Sequence, residues 1–242
     1  MAKASKARSS SVFTLLRRAV LAALAAFVVL SVFTVLLFRW LPVPVSSVMV
    51  EREAQALFNG HPLAYRYHWV GYSDIAPSLK LAVIASEDQR FPFHHGFDER
   101  QIQIAFANWR AGDALRGAST LSQQTAKNLW LWSDSDIIRK GVEAWYTLLI
   151  EGFWPKHRIL EVYLNLAEWG PGIYGIEAAS QHYFHVSADA LTTQQSARLA
   201  SILPAPRQWS PVHPNARVAR HTQWVEQQMR QLGGTAYLRR LN

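Results

Sequence analysis

Leu79-Lys80-Leu81-Ala82-Val83-Ile84-Ala85-Ser86-Glu87-Asp88-Gln89-Arg90-Phe91-Pro92-Phe93-His94-His95-Gly96-Phe97-Asp98 is the stretch on which the reading of this chain turns. The apolar run from Leu79 to Ala85 predicts a buried helix ending near Glu87. Two adjacent acids at the end of such a helix are costly to bury unless they are paired or used. Pro92 ends regular structure because it has no backbone N–H, and Gly96 permits a turn that other residues resist. Together these features suggest a cleft wall carrying a carboxylate. The alternative on these residues alone is a helix terminus whose acids cap neighbours and whose histidines face water.

Working outward, Asp98 can cap a helix through Glu99 to Phe106 that fades at Ala111-Gly112, with Ile102, Ala105, Phe106 and Trp109 as its buried face. Ser119 and Thr120 open the next helix, running through Gln123, Gln124, Lys127 and Asn128 to Trp132. On it Gln123 and Lys127 share one face, and Gln124 and Asn128 an adjacent one. Asp134 and Asp136 are candidate caps for a helix through Arg139, Lys140, Glu143 and Glu151. Pro155 separates that helix from one starting near Lys156, whose apolar side is Ile159, Leu160, Tyr163 and Leu164, with Glu161 and Asn165 stacked on another side. Gly170-Pro171-Gly172 breaks the chain. Three more helices are predicted, over 177–183, 192–203 and 217–232. Upstream, Ser46 or Ser47 caps a helix that stops at Asn59-Gly60, and Tyr65 to Val70 is the best strand candidate. His61 and His68 have no ligand spacing to other His or Cys. The expected class is mainly α.

The chain has 242 residues, ten of them Trp, and half are hydrophobic, which suffices for one domain with a short appendage. There is no cysteine, so neither a disulfide nor thiolate chemistry is available. The formal charge of +8 would suit nucleic acid, but five of those charges are Lys3, Lys6, Arg8, Arg17 and Arg18. From Arg39 onward, 20 basic residues face 17 acidic ones, so the excess is a topology signal and no nucleic-acid partner is expected. Ala19 to Phe38 is a run of twenty uncharged residues. As a helix it spans about 30 Å, the thickness of a bilayer core. The run is longer than a signal-peptide core and ends in bulky residues, which favours an uncleaved anchor. Basic residues before it place the N-terminus in the cytoplasm. The expected organisation is a basic tail (1–18), a transmembrane anchor (19–39), a linker and membrane-proximal segment (40–70) and a main domain (71–242).

Glu87-Asp88-x-x-Phe91-x-x-His94-x-Gly96-x-Asp98 resembles the first signature of the peptidoglycan glycosyltransferases. Three further signatures follow in order. Gly117-x-Ser119-Thr120-x-x-Gln123-Gln124-x-x-Lys127-Asn128 resembles the second and Arg139-Lys140-x-x-Glu143 the third. Lys156-x-Arg158-Ile159-Leu160-Glu161-x-Tyr163-Leu164-Asn165 resembles the fourth. Arg217-x-x-Arg220-x-x-x-Trp224-Val225-x-x-Gln228-Met229 is a looser fifth. No transpeptidase domain follows within this sequence, so the resemblance is to the monofunctional biosynthetic branch. It implies a lysozyme-like helical glycosyltransferase domain with a smaller membrane-proximal lobe, preceded by a single transmembrane helix. It also implies that the chain polymerises lipid II at the bacterial inner membrane, with the catalytic domain in the periplasm. The implied partners are lipid II, the growing glycan strand, the membrane, and proteins of cell-wall synthesis or division.

Joining two sugars at an anomeric carbon needs a base for the acceptor hydroxyl and help for the departing diphosphate. The resemblance places the base at Glu87. Asp88 is assigned to structural hydrogen bonding, because adjacent residues do not share a helix face. Lys127, Arg139 and Lys140 are the candidate cations for the diphosphate, with Ser119, Thr120, Gln123, Gln124 and Asn128 as neutral substrate-binding groups. Glu143 matches the second functional carboxylate of the family, linked to the diphosphate and to a divalent cation (Mg or Mn); its plain alternative is a salt bridge to Arg139 or Lys140. Where the family carries a further arginine, this chain has Ser135. Glu161 and Asn165 are read as ordering helix packing, and His94 as a hydrogen-bonding element beside Glu87. The six arginines from Arg207 to Arg240 are read as a solvated face or a contact with lipid phosphates. A lytic muramidase is the competing enzyme and a non-catalytic scaffold the competing non-enzyme. Glycan cleavage offers no diphosphate for the cationic set to bind.

Overall fold

The computed structural model describes residues 2–60, 65–110, 119–134 and 136–241, with side chains described from Phe13 onward except at 108 and 109. Gly117, Ser135 and His61 therefore lie outside the described residues. The chain divides into two compact units, Met1–Leu41 and Pro42–Asn242.

The first unit is one helix, α1 (Ala2–Phe38). Its segment Phe13–Phe38 is long and apolar enough to cross a membrane. The helix thus starts well before the apolar run and continues through the basic residues Arg17 and Arg18.

The second unit is mainly helical, with one small sheet. Its helices are α2 (Ser47–Phe58), α3 (Pro77–Glu87), α4 (Glu99–Arg110), α5 (Leu121–Trp130), α6 (Ile137–Phe153), α7 (Lys156–Leu166), α8 (Ile176–Phe184), α9 (Thr193–Ile202) and α10 (Ala216–Gln231). The chain therefore has the mainly α class expected of it. At the centre is α3, every residue from Leu79 to Ala85 buried, packed against α9, α10 and a terminal 3₁₀ turn, Gly234–Leu241. Lys80 survives there because its ammonium donates to the Tyr72 carbonyl (2.8 Å) and lies 3.9 Å from the centre of the Tyr72 ring. On α7 the polar side is buried along with the apolar one. Glu161 pairs with Arg158 (2.9 Å), and Asn165 accepts from Val70 N–H and donates to Val70 O, both 2.9 Å. Asn165 orders the packing against Val70, as its placement in the sequence suggested, while the Glu161 pair stays within α7.

The strand prediction over 65–70 shrinks to β1 (Arg66–Tyr67), which pairs in parallel with β3 (Ile173–Tyr174); β2 (Glu168–Gly170) pairs antiparallel to β3 with an irregular register. Strands this short carry no alternating pattern, so β2 and β3 leave only the Gly170-Pro171-Gly172 turn as a trace. Gly175 follows at φ +78°, where a Cβ would meet the Asn165 carbonyl oxygen at 2.8 Å.

Two helix expectations need correction. On α4 only Ala105 is buried; Ile102 and Phe106 are 43% and 46% exposed, and the Trp109 side chain is not described. Helical spacing identifies an apolar stripe and not what covers it. And α5 stops at Trp130, short of Trp132, because its C-terminal turn is bound by α2: Ser47 Oγ reaches the carbonyls of Asn128 (3.1 Å) and Leu131 (2.6 Å).

Candidate active site

The last turn of α3 carries Glu87, and Asp88 follows as its cap; the two carboxylates have different partners. Asp88 leaves the helix as its cap and is buried, accepting from Leu121 N–H (3.0 Å) and from His94 Nε2 (2.9 Å). The Gly96 N–H can only donate, and it points at His94 Nδ1 (3.2 Å). His94 Nε2 therefore carries the proton that Asp88 accepts. Thr120 Oγ1 and Lys156 Nζ bind the Gly96 and His94 carbonyls, each at 2.6 Å, and Gly96 sits at φ +90° where a Cβ would strike Thr147. The turn after α3 is thereby fixed from several sides, and the roles expected of Asp88 and His94 are the ones found.

Glu87 is held differently. Gln124 Nε2 donates to its Oε2 at 3.0 Å, while its Oε1 has only a long 3.4 Å contact from Ser86 Oγ. No cation pairs with it among the described residues. Water reaches Glu87 along a cleft, but protein crowds it elsewhere. Burial pushes its pKa above the ordinary glutamate value, an effect partly opposed by the Gln124 and Ser86 hydrogen bonds and by His221, and reinforced by Asp88. The cleft measures ≈ 780 Å³, and Ser119, Thr120 and Gln124 line it with Glu87.

Thr120 also opens α5 with a capping box: its hydroxyl accepts from Gln123 N–H (3.2 Å), and the Gln123 side chain accepts from Thr120 N–H (3.1 Å). This engages Gln123 in the cap, away from the cleft, while Gln124 one residue later faces Glu87. Lys127, one turn further, lies in a second recess of ≈ 320 Å³ that shares Gln124 with the first and is lined also by Asn128, Tyr163, Ser133 and Arg52. Burial lowers the Lys127 pKa; Glu143 opposes this, and Arg139 and Lys140 add to it.

Arg139, Lys140 and Glu143 lie on the first turns of α6, whose N-cap is Asp136, not Asp134: Asp136 accepts from Arg139 N–H at 2.7 Å. Glu143 is 2% exposed, and both of its oxygens are taken, Oε2 by Arg139 Nη1 (2.7 Å) and Oε1 by Lys140 Nζ. None of these three residues lines either recess, although their charges reach Lys127. A carboxylate already shared by two cations is a poor ligand for a divalent ion. Among the described residues no group of three or more His, Asp or Glu side chains could hold one. The described side chains alone do not fit a resident metal here.

The structure adds Trp224, Arg52, His221 and Tyr163 to the candidate set. Trp224 and Tyr163 stand inside the quoted signatures, so a signal for them existed. Arg52 and His221 carry none, because their placement depends on how α2 and α10 dock.

This helical body, with a half-buried glutamate lining a cleft and a recess holding Lys127 beside it, agrees with a comparison against known proteins. Residues 57–230 match the transglycosylase family. The chain belongs to that family. It is 56% identical over 224 residues to a protein of Chromohalobacter salexigens called a biosynthetic peptidoglycan transglycosylase, covering 93% of this chain and 96% of that one. A Pseudomonas fluorescens protein of the same name is 53% identical over 216 residues (89% and 90% covered), and one from Pseudomonas putida is 51% identical over 229 residues (95% and 97%).

Proposed function

We propose that this transglycosylase polymerises peptidoglycan glycan strands, transferring the growing lipid-diphosphate-linked glycan onto the 4-hydroxyl of the lipid II GlcNAc. Glu87 takes the proton of that hydroxyl, the oxygen bonds to the donor's anomeric carbon, and the bond from that carbon to the diphosphate breaks. The observation that carries this reading is the contrast between the two recesses that share Gln124. One is lined by Glu87, whose carboxylate pairs with no cation among the described residues although Arg90 and Arg100 line the same cleft, and is suited to accept a proton; the other holds Lys127, suited to a departing diphosphate. A glutamate with a raised pKa is a stronger base once ionised. It must first lose its proton, so activity should fall as the medium is acidified through a pKa above the ordinary glutamate value.

Glu143 serves by holding Arg139 and Lys140 side by side, which keeps positive charge beside Lys127. The Phe13–Phe38 segment would anchor the enzyme in the inner membrane, N-terminus in the cytoplasm and body in the periplasm, following the basic residues before it. A reporter fused after Asn242 should then read as periplasmic.

The decisive test is Glu87→Gln, assayed with labelled lipid II and gel analysis of the glycan strands. The amide keeps the shape but cannot take the proton. Polymerisation should fall by roughly 10²–10⁴-fold, with the fold intact by thermal unfolding. Near-normal strand synthesis by a folded Glu87→Gln protein would sink the mechanism.

A further inference from the structure

The two recesses are joined by a chain of hydrogen bonds: Tyr163 OH to Gln124 Oε1 at 3.1 Å, then Gln124 Nε2 to Glu87 Oε2 at 3.0 Å. A glutamine amide has two ends, and only the NH₂ end can donate to a carboxylate. Turned by 180°, Gln124 would present its carbonyl oxygen to Glu87 and repel it. Tyr163 adds to the preference for the first orientation: in the flipped one its oxygen would accept from Nε2, and its proton would lose the acceptor it has among the described residues. Its phenol is 2% exposed, and burial together with the nearby Glu87 charge raises its pKa well above the ordinary tyrosine value. It is therefore a protonated donor at any working pH, and the only amide atom that can accept from it is Oε1.

We propose that Tyr163 is a positioning residue of this enzyme: by fixing the Gln124 amide it holds the Glu87 carboxylate in one rotamer, leaving Oε1 for the acceptor hydroxyl. The proposal rests on the reading of Glu87 as base. The supports of the two carboxylate oxygens are unequal. Oε2 has the 3.0 Å bond from Gln124, and Oε1 has only the 3.4 Å contact from a serine whose hydroxyl is equally far (3.4 Å) from the Ala200 carbonyl. Without an oriented amide, no strong hydrogen bond among the described residues would fix the carboxylate. The arrangement uses three helices, α3, α5 and α7, so none of the three residues is informative about it alone.

The test is Tyr163→Phe, which keeps the ring and removes the donor, assayed for strand synthesis across pH. The charged and titratable groups acting on Glu87 are Asp88 beside it, Lys127 on α5, Tyr163 on α7 and His221 on α10. All but Tyr163 stay in place. The Gln124 hydrogen bond lowers the Glu87 pKa, so weakening it should move the acid limb of kcat/KM to higher pH, together with an approximately tenfold fall in kcat and little change in KM. Gln124→Ala should show the same displaced limb, and adding Tyr163→Phe to Gln124→Ala should cost nothing further, because Tyr163 then has no amide to orient.

A Tyr163→Phe protein with the wild-type rate and pH profile overturns the proposal. So does a loss that adds in full to that of Gln124→Ala, since that marks ordinary packing. Glu87→Gln, run beside them, separates the two levels. If it is inactive while Tyr163→Phe behaves as wild type, the base stands and the positioning fails. If it is active, the base itself has failed.

Discussion

Glu87 and Glu143 are both glutamates enclosed by helices, yet they are held in contrasting ways. Glu143 is locked: 2% exposed, with a guanidinium on one oxygen and an ammonium on the other. Glu87 is poised: one amide on one oxygen, a weak hydroxyl contact on the other, no cation, and a pKa raised chiefly by burial. An ion pair as tight as that of Glu143 ties up the lone pairs that a base needs. A carboxylate held like Glu87 keeps them but contributes little to holding the fold together. The comparison teaches that the number of cations around an enclosed acid separates a carboxylate committed to ion pairs from one whose lone pairs stay available.

The largest effect should come from breaking the locked side. Glu143→Gln leaves Arg139, itself 6% exposed, without its charge partner. Removing one member of a buried pair costs roughly 3–5 kcal/mol, and urea denaturation should show a loss toward the lower end, since the amide oxygen can still accept one bond. An unchanged midpoint would mean that Glu143 is not locked.

An intermediate effect tests the element shared by both sides. Thr120→Ala removes the cap of α5, the helix that carries both Gln124 and Lys127, and also the bond to the Gly96 carbonyl. Loss of a cap costs about 1 kcal/mol; the second bond should push the measured destabilisation above that. A loss of only a few tenths would show that the cap does not brace the site.

The smallest effect has the opposite sign and is the sharpest check on the poised side. The folded-state pKa of Glu87 is raised, so the stability tied to its protonated form is fully present below the unfolded pKa and is lost as pH rises through the folded one. Glu87→Gln never ionises. It should match the wild type in mildly acidic unfolding experiments below the ordinary glutamate pKa, and unfold at a slightly higher temperature at neutral pH. A variant less stable at pH 7 would place Glu87 with Glu143 among the locked acids.

Much of this arrangement was legible in the sequence. The apolar run before Glu87 foretold the central helix, Asp98 and Thr120 foretold two caps, and the i, i+4 spacing of Arg139 and Glu143 made their salt bridge an explicit alternative. What was not legible depends on how helices dock. Gln123 and Gln124 are equivalent as letters, but one closes a capping box and the other faces Glu87. Tyr163 read as part of an apolar face, because its ring is buried and only the position of its hydroxyl reveals the second role. Ile102 and Phe106 show the converse, an apolar stripe that stays partly accessible to water.

The Ser47 hydroxyl, shared between the Asn128 and Leu131 carbonyls, has a mechanical consequence. A tug arriving through Pro42 to Val45 meets this latch, and the Tyr67 hydroxyl bound to the Val43 carbonyl, before it meets anything in the cleft. The latch grips the end of α5 remote from Thr120, at carbonyls four and seven residues beyond Gln124, about 6–10 Å along the helix. Displacement of residues 42–45 is thus carried first to the far end of a capped helix, whose opposite end is tied to the Gly96 carbonyl, and only through that helix to the Gln124–Glu87 contact.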